Sequence, residues 1–223
     1  MRFKRLYTYR FELFFFSQIA ILFGSIVFPK VLFTEIISHL LFLINISSGY
    51  VIFSRNREQS KISILLLIIA VIVFLYRFIG NNEKDLIDYI KVAIYFVFYS
   101  LITFEIVRQV WQSEKVNRNV IFGLMSGYIS IGLIGFFVFF SIELAEPNSF
   151  KGLIEGGTIT DNLDSLLYYS YITLMTIGYG DITPISDIAQ KTTMFFAMLG
   201  QFYMVIVTAV VVEKYIRHSH LKE

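Results

Sequence analysis

Thr173-Leu174-Met175-Thr176-Ile177-Gly178-Tyr179-Gly180-Asp181 sets two glycines around a tyrosine at the end of a polar-capped apolar run. Glycine lacks the Cβ that penalises left-handed backbone, so Gly178 and Gly180 permit conformations that other residues resist. With left-handed residues recurring along the loop, consecutive carbonyls can point to one side while the intervening side chains face outward into packing. A row of backbone oxygens of that kind can take the place of a cation's hydration shell.

Composition says where such a loop would sit. The chain has 223 residues, of which 56% are hydrophobic and 24 are phenylalanine, and its mean hydropathy is +0.67. That leaves too little polar surface for a soluble domain, so the expected class is an all-α integral membrane protein. No cysteine is present, which excludes disulfides and thiolate metal sites. The net charge of +2 is small, but the basic residues are unevenly spread.

Six apolar segments approach the roughly 20 residues that a helix needs to cross the hydrocarbon layer. They fall at about 11–28, 31–53, 62–79, 86–107, 120–143 and 188–213, and a shorter run at about 162–175 covers half a span. Six crossings put both termini on one side. Arg2, Lys4, Arg5 and Arg10, then Arg55, Arg57 and Lys61, then Arg108, Lys115 and Arg118, then Lys214, Arg217 and Lys222 share that side, which the positive-inside rule makes cytoplasmic. Lys30, Arg77, Lys84, Lys91, Lys151 and Lys191 fall toward the outer ends. Phe28-Pro29-Lys30 offers no small-residue cleavage site, so the first apolar run reads as a retained helix and not as a secretory signal. No internal repeat or soluble regulatory domain is expected within these residues.

Residues 163 to 215 resemble the pore module of the tetrameric potassium channel family, whose T-x-x-T-x-G-Y-G-D pattern is met by Thr173, Thr176, Gly178, Tyr179, Gly180 and Asp181. The resemblance implies a homotetramer in the bilayer, each chain supplying one quarter of the pore. It implies a selectivity filter at Thr176, Ile177, Gly178, Tyr179 and Gly180, with potassium held by the carbonyls of Thr176, Ile177, Gly178 and Tyr179 and by the Thr176 hydroxyl. Tyr168 and Tyr169 stand where many relatives carry a tryptophan pair and are expected to offer hydroxyls to Asp181 and Tyr179. Gly200 lies at the usual spacing of that family's hinge glycine, and a gating hinge and a close-packing glycine are both open readings there. Ile172 replaces a glutamate found in some relatives, and Met175 a threonine. The implied function is passive, potassium-selective conduction across the cytoplasmic membrane, with bound potassium as the only resident species. A less selective cation channel is the alternative.

The expected organisation is a four-helix membrane domain at 1–112 and a pore domain at 113–223, with an outer helix at 120–143, a pore helix at 162–175, a filter at 176–180 and an inner helix at 188–215. Asp161 or Asn162 is placed to cap the pore helix, and Asp164 falls in its first turn. Gln201, Met204 and Thr208 recur on one face of the last helix and are expected to line an inner cavity, because polar groups are costly against lipid. Gly123 and Gly127, with Gly132 and Gly135 beyond them, form a close-contact surface on the fifth helix. Glu143, Glu146, Glu155, Asp161, Asp164, Asp181 and Asp187 would make the outer mouth negative.

Glu35, His39, Arg77 and Glu105 are the ionisable residues in or beside the first four helices, and most are expected near helix ends, where they can snorkel. Asn45, Ser47, Ser48 and Gly49 read as a packing seam. No metal-ligand cluster, nucleophile paired with a base or phosphate loop occurs in the sequence, so neither an enzyme nor a nucleic-acid partner is expected. The fourth helix, Asp88 to Val107, holds only Lys91 near its outer end, and no Arg-x-x-Arg ladder is present anywhere. One charge crossing the field is worth about 2.3 kcal/mol per 100 mV, so four Lys91 side chains would supply roughly 9 kcal/mol at most. Opening is therefore expected to depend weakly on voltage. Single-channel recording in symmetric potassium should find an open probability that changes little between strongly negative and strongly positive potentials. A slope equivalent to ten or more charges would contradict it.

Overall fold

The computed structural model describes residues 6–29, 32–54, 57–78, 84–113, 117–154 and 162–220. Seven α-helices carry it: α1 (Arg10–Val27), α2 (Ser38–Phe53), α3 (Arg57–Phe78), α4 (Lys84–Trp111), α5 (Arg118–Ala145), α6 (Leu163–Leu174) and α7 (Asp187–His220). Two short strands, β1 (Phe150–Lys151) and β2 (Thr183–Pro184), and a π-helical turn at Phe33–Ile37 are also described.

Among the described residues five helical stretches are long and apolar enough to cross a membrane: Arg10–Val27, Glu58–Leu75, Val92–Trp111, Arg118–Ala145 and Asp187–Lys214. The sixth expected span differs. Its helix α2 has 16 residues, about 24 Å at 1.5 Å per residue, against a hydrocarbon core of about 30 Å. A π-helical turn at Phe33–Ile37 runs directly into it and supplies the missing length.

The chain forms two compact units, Met1–Ser130 and Ile131–Glu223. The division falls within α5, not at residues 112–113, because the first part of that helix is bound to α1 and the remainder packs with α6 and α7. In the first unit, Arg118 pairs with Glu12 at 2.8 Å, and the amide of Gln18 donates to Ser130 Oγ at 2.7 Å and to the Ser126 carbonyl at 3.3 Å.

A buried polar seam holds α1, α2 and α4 together. Asn45 is fully buried; it donates to Ser17 Oγ at 2.8 Å and accepts from the Tyr99 hydroxyl at 2.8 Å. Ser48 joins it through Ser17 Oγ at 3.1 Å. Gly49 completes the seam for a steric reason: a Cβ there would lie 2.6 Å from the Phe98 ring. Ser47 is not part of it, being exposed and bonded to Leu43 of its own helix.

Glu105 is a second correction. It does not snorkel at a helix end; its side chain is buried, accepts from Gln109 Nε2 at 2.8 Å and lies 3.5 Å from Arg108 Nε. Gln109 in turn donates to the Ile52 carbonyl and accepts from Arg10 Nε. The relay bonds one oxygen of the buried carboxylate; the other, Oε2, has no hydrogen-bond partner and is balanced by the charge of Arg108 alone. The His39 ring lies 6.0 Å from that of Phe74. The side chains of Glu35, Arg77 and Lys91 lie outside the described residues.

Removing the Tyr99 hydroxyl strands a buried acceptor on Asn45. Tyr99→Phe should lower stability by about 1 kcal/mol, the scale of interhelical hydrogen bonds in membrane proteins. Ser47→Ala should change it by much less, and denaturant unfolding in detergent micelles compares the two.

Candidate functional site

Helix α6 ends at Leu174, and the loop behind it carries an alternating backbone. Thr176 has φ +56°, Gly178 +59° and Gly180 +82°, whereas Ile177 and Tyr179 have none of this left-handed character. The two glycines adopt such angles without penalty. Thr176 is β-branched, and its conformation costs of order 1–3 kcal/mol, strain of the kind that collects at functional sites.

The hydrogen bonds show what holds this geometry. Met175 N–H donates to the Tyr171 carbonyl at 2.9 Å, Thr176 N–H to Thr173 at 2.9 Å, and Ile177 and Gly178 N–H both to Ile172 at 2.9 and 3.4 Å. The donors of the loop are thus taken up by the carbonyls that a helix end leaves unsatisfied. Among the loop and inter-element backbone bonds of the described residues, none is accepted by a carbonyl of Thr176, Ile177, Gly178 or Tyr179. Residues 176–180 are all exposed within the single chain, with Tyr179 at 72%.

Behind the loop, α6 is wedged by aromatic rings. Tyr169 lies edge-on to Phe139 at 5.1 Å and to Phe150 at 5.3 Å, and Phe139 meets Phe196 at 5.5 Å. The Tyr169 hydroxyl pairs with Thr193 Oγ1 at 2.7 Å, and Thr193 donates to the Ala189 carbonyl. Tyr169 thus ties α6 to α7; its hydroxyl does not reach Asp181 or Tyr179 as expected. Tyr168 is exposed in the chain, and the Asp181 carboxylate near its hydroxyl raises its pKa. Ser170 donates to the Gly132 carbonyl at 2.6 Å, and Gly132 and Gly135 leave room for Tyr171 and Ser170.

The exit of the loop is clamped from the other side. Strand β1 pairs antiparallel with β2, Phe150 opposite Pro184 and Lys151 opposite Thr183. Ile185 N–H donates to the Ser149 carbonyl at 2.7 Å. Gly152 has φ +95°, and a Cβ there would fall on the Asp181 carbonyl oxygen. Ser186 caps α7 by accepting from Ala189 N–H at 3.3 Å and donates to Ser149 Oγ at 3.1 Å.

One carboxylate organises that clamp. Glu143 is 8% exposed, and its oxygens accept from Asn148 N–H at 2.8 Å and Ser149 N–H at 3.0 Å. It is therefore a structural anchor and not part of a negative vestibule; Glu146, Asp164, Asp181 and Asp187 are exposed. Glu155 and Asp161 lie outside the described residues. Asn162 makes no side-chain cap to α6; its Oδ1 accepts from Ile154 N–H at 2.8 Å and closes the loop ahead of the helix. Sequence reasoning missed Glu143, Ser149, Gly152 and Thr193 in these roles. The one signal for Glu143 was a carboxylate a few residues before the Pro147-Asn148 turn.

On α7, Gln201, Met204 and Thr208 are exposed in the chain. Thr208 Oγ1 donates to the Met204 carbonyl at 2.8 Å. Gly200 is buried instead, with a Cβ position that would fall on the Leu174 carbonyl oxygen. Ile172 is buried and contributes its carbonyl to the loop, whereas Met175 is 45% exposed.

A helical membrane protein with a half-length helix leading into a loop of free carbonyls is an all-α membrane channel. Residues 124–217 match the family model described as Ion channel. The chain is 28% identical over 146 residues to the voltage-gated potassium channel Kch of Escherichia coli, covering 66% of this chain and 30% of that protein. The chain thus spans under a third of the length of that curated relative. No solved structure matches it significantly. Over residues 124–217, then, the chain is similar to the ion channel family.

Hydrogen bonds to a charged acceptor are worth about 1.5–3 kcal/mol, so Glu143→Gln should loosen the turn it anchors. Amide hydrogen exchange at Asn148 and Ser149 should speed up by roughly 10- to 100-fold. Glu146→Gln, at an exposed site, should leave it unchanged.

Proposed function

We propose that this chain forms a homotetrameric, potassium-selective channel of the cytoplasmic membrane, with both termini in the cytoplasm. The observation that carries the reading is the alternation of left-handed backbone at Thr176, Gly178 and Gly180 together with the return of the loop's N–H groups into α6. Donors pointing back leave acceptors pointing forward, and stacked acceptors are what a dehydrated cation needs.

In this reading the carbonyls of Thr176, Ile177, Gly178 and Tyr179, with the Thr176 hydroxyl, form one quarter of each potassium site. Four copies around an axis would close the ring and cover the side chains of Ile177 and Tyr179, which stand exposed in one chain. The negative ends of four α6 dipoles would favour a cation just below. Gln201, Met204 and Thr208 would line the inner cavity. No covalent step is involved, and potassium is the only bound species. The word voltage-gated belongs to the relative's name; the missing charge ladder in α4 supports weak voltage dependence here.

Flux from purified protein in liposomes tests this. Potassium and rubidium should leave far faster than sodium. Gly178→Ala should abolish flux, although nothing lies within 4 Å of its Cβ position. The cause is conformational: a non-glycine residue pays about 1–2 kcal/mol in left-handed backbone, and fourfold symmetry repeats it to roughly 4–8 kcal/mol. Comparable sodium and potassium rates in the wild type would refute the selectivity and leave a general cation channel.

A further inference from the structure

We propose that Gly200 is a positioning residue for the filter, fixing the last peptide of α6, and not the point at which α7 bends. The proposal rests on the potassium-selective reading above. A Cβ on Gly200 would fall on the Leu174 carbonyl oxygen, with the carbonyl carbon 2.9 Å away and Leu174 Cδ1 at 3.0 Å. Two of these three atoms are backbone, so no side-chain rotation can make room. Non-bonded carbon contacts settle near 3.5–4.0 Å, so the Leu174 peptide would have to retreat by about 1 Å.

That peptide directly follows the two carbonyls on which the loop hangs. Ile172 accepts from Ile177 and Gly178, and Thr173 accepts from Thr176. A shift at Leu174 therefore reaches the filter through three hydrogen bonds, and binding constellations tolerate displacements of only ~0.5 Å. The opposite side of α6 is gripped in a softer way: a Cβ on Gly132 would meet the Tyr171 ring, a side chain that can move. Gly200 is the rigid side of the grip. A hinge needs space and backbone freedom, whereas α7 runs unbroken through a buried Gly200 from Asp187 to His220.

The test measures the potassium-to-sodium permeability ratio of purified channels in planar bilayers. Gly200→Ala should lower the ratio by roughly tenfold or more, the scale of effect that angstrom displacements have at functional sites. Adding Ala197→Gly restores a flexible residue one turn earlier in α7, and it should leave the lowered ratio in place. Should the fourfold variant fail to assemble, a linked tetramer with a single Gly200→Ala subunit should still show a reduced ratio. An unchanged ratio in either form, with altered opening that Ala197→Gly restores, would overturn the positioning role in favour of a hinge. Absence of discrimination in the wild type would overturn the potassium reading itself, and this inference with it.

Discussion

In residues 175–178 every N–H is spent on a carbonyl at the end of α6. A backbone group without water must find a partner, and here the donors find theirs behind the loop, while no backbone bond among the described residues is accepted by a carbonyl of 176–179. The left-handed angles at Thr176, Gly178 and Gly180 follow from that constraint. So does the demand that α6 stop where it does, since a helix one turn longer would consume its own terminal carbonyls and leave the loop nothing to hang from.

Because the loop hangs from a helix end, its precision is inherited from whatever holds that helix. The Tyr169 hydroxyl and the surrounding rings fix α6 against α7, and Ser170 fixes it against the second half of α5. The exit of the loop is held separately, by β1 against β2 and by the Glu143 carboxylate that shapes the turn before β1. In the first unit the seam around Asn45 meets a related demand, since its buried amide oxygen and nitrogen both find partners. Glu105 is met only in part, one oxygen bonded to Gln109 and the other 3.5 Å from Arg108.

The helices were legible from hydropathy because spans of this length read as continuous apolar runs, and the loop was legible because Gly-Tyr-Gly is a local pattern. What escaped notice depends on contacts between distant residues. Glu143 looked like one surface carboxylate among several until the turn folded back onto it. Asn162 sat at the expected cap position, yet its side chain reached eight residues upstream. Thr176 carries no mark of its left-handed angle, since β-branched residues disfavour it and only its place between α6 and Gly178 imposes it. The division inside α5 was invisible for the same reason: the helix reads as one span from end to end, and only its partners change along its length.

The inner-cavity assignment turns on how polar groups on α7 are satisfied. Spacing put Gln201, Met204 and Thr208 on one face, and the argument counted two polar side chains as costly against lipid. Thr208 loses that force, because its hydroxyl donates to the Met204 carbonyl one turn back and is content on any face of the helix. Gln201 keeps it. A carboxamide carries two donors and an acceptor with two lone pairs, more than its own helix, already bonded within itself, can satisfy. Its exposure in the single chain therefore favours the proposed arrangement, with water or protein beside it, over one with acyl chains there. The case for a water-filled space below the loop accordingly rests on Gln201, one residue beyond the glycine that meets the end of α6.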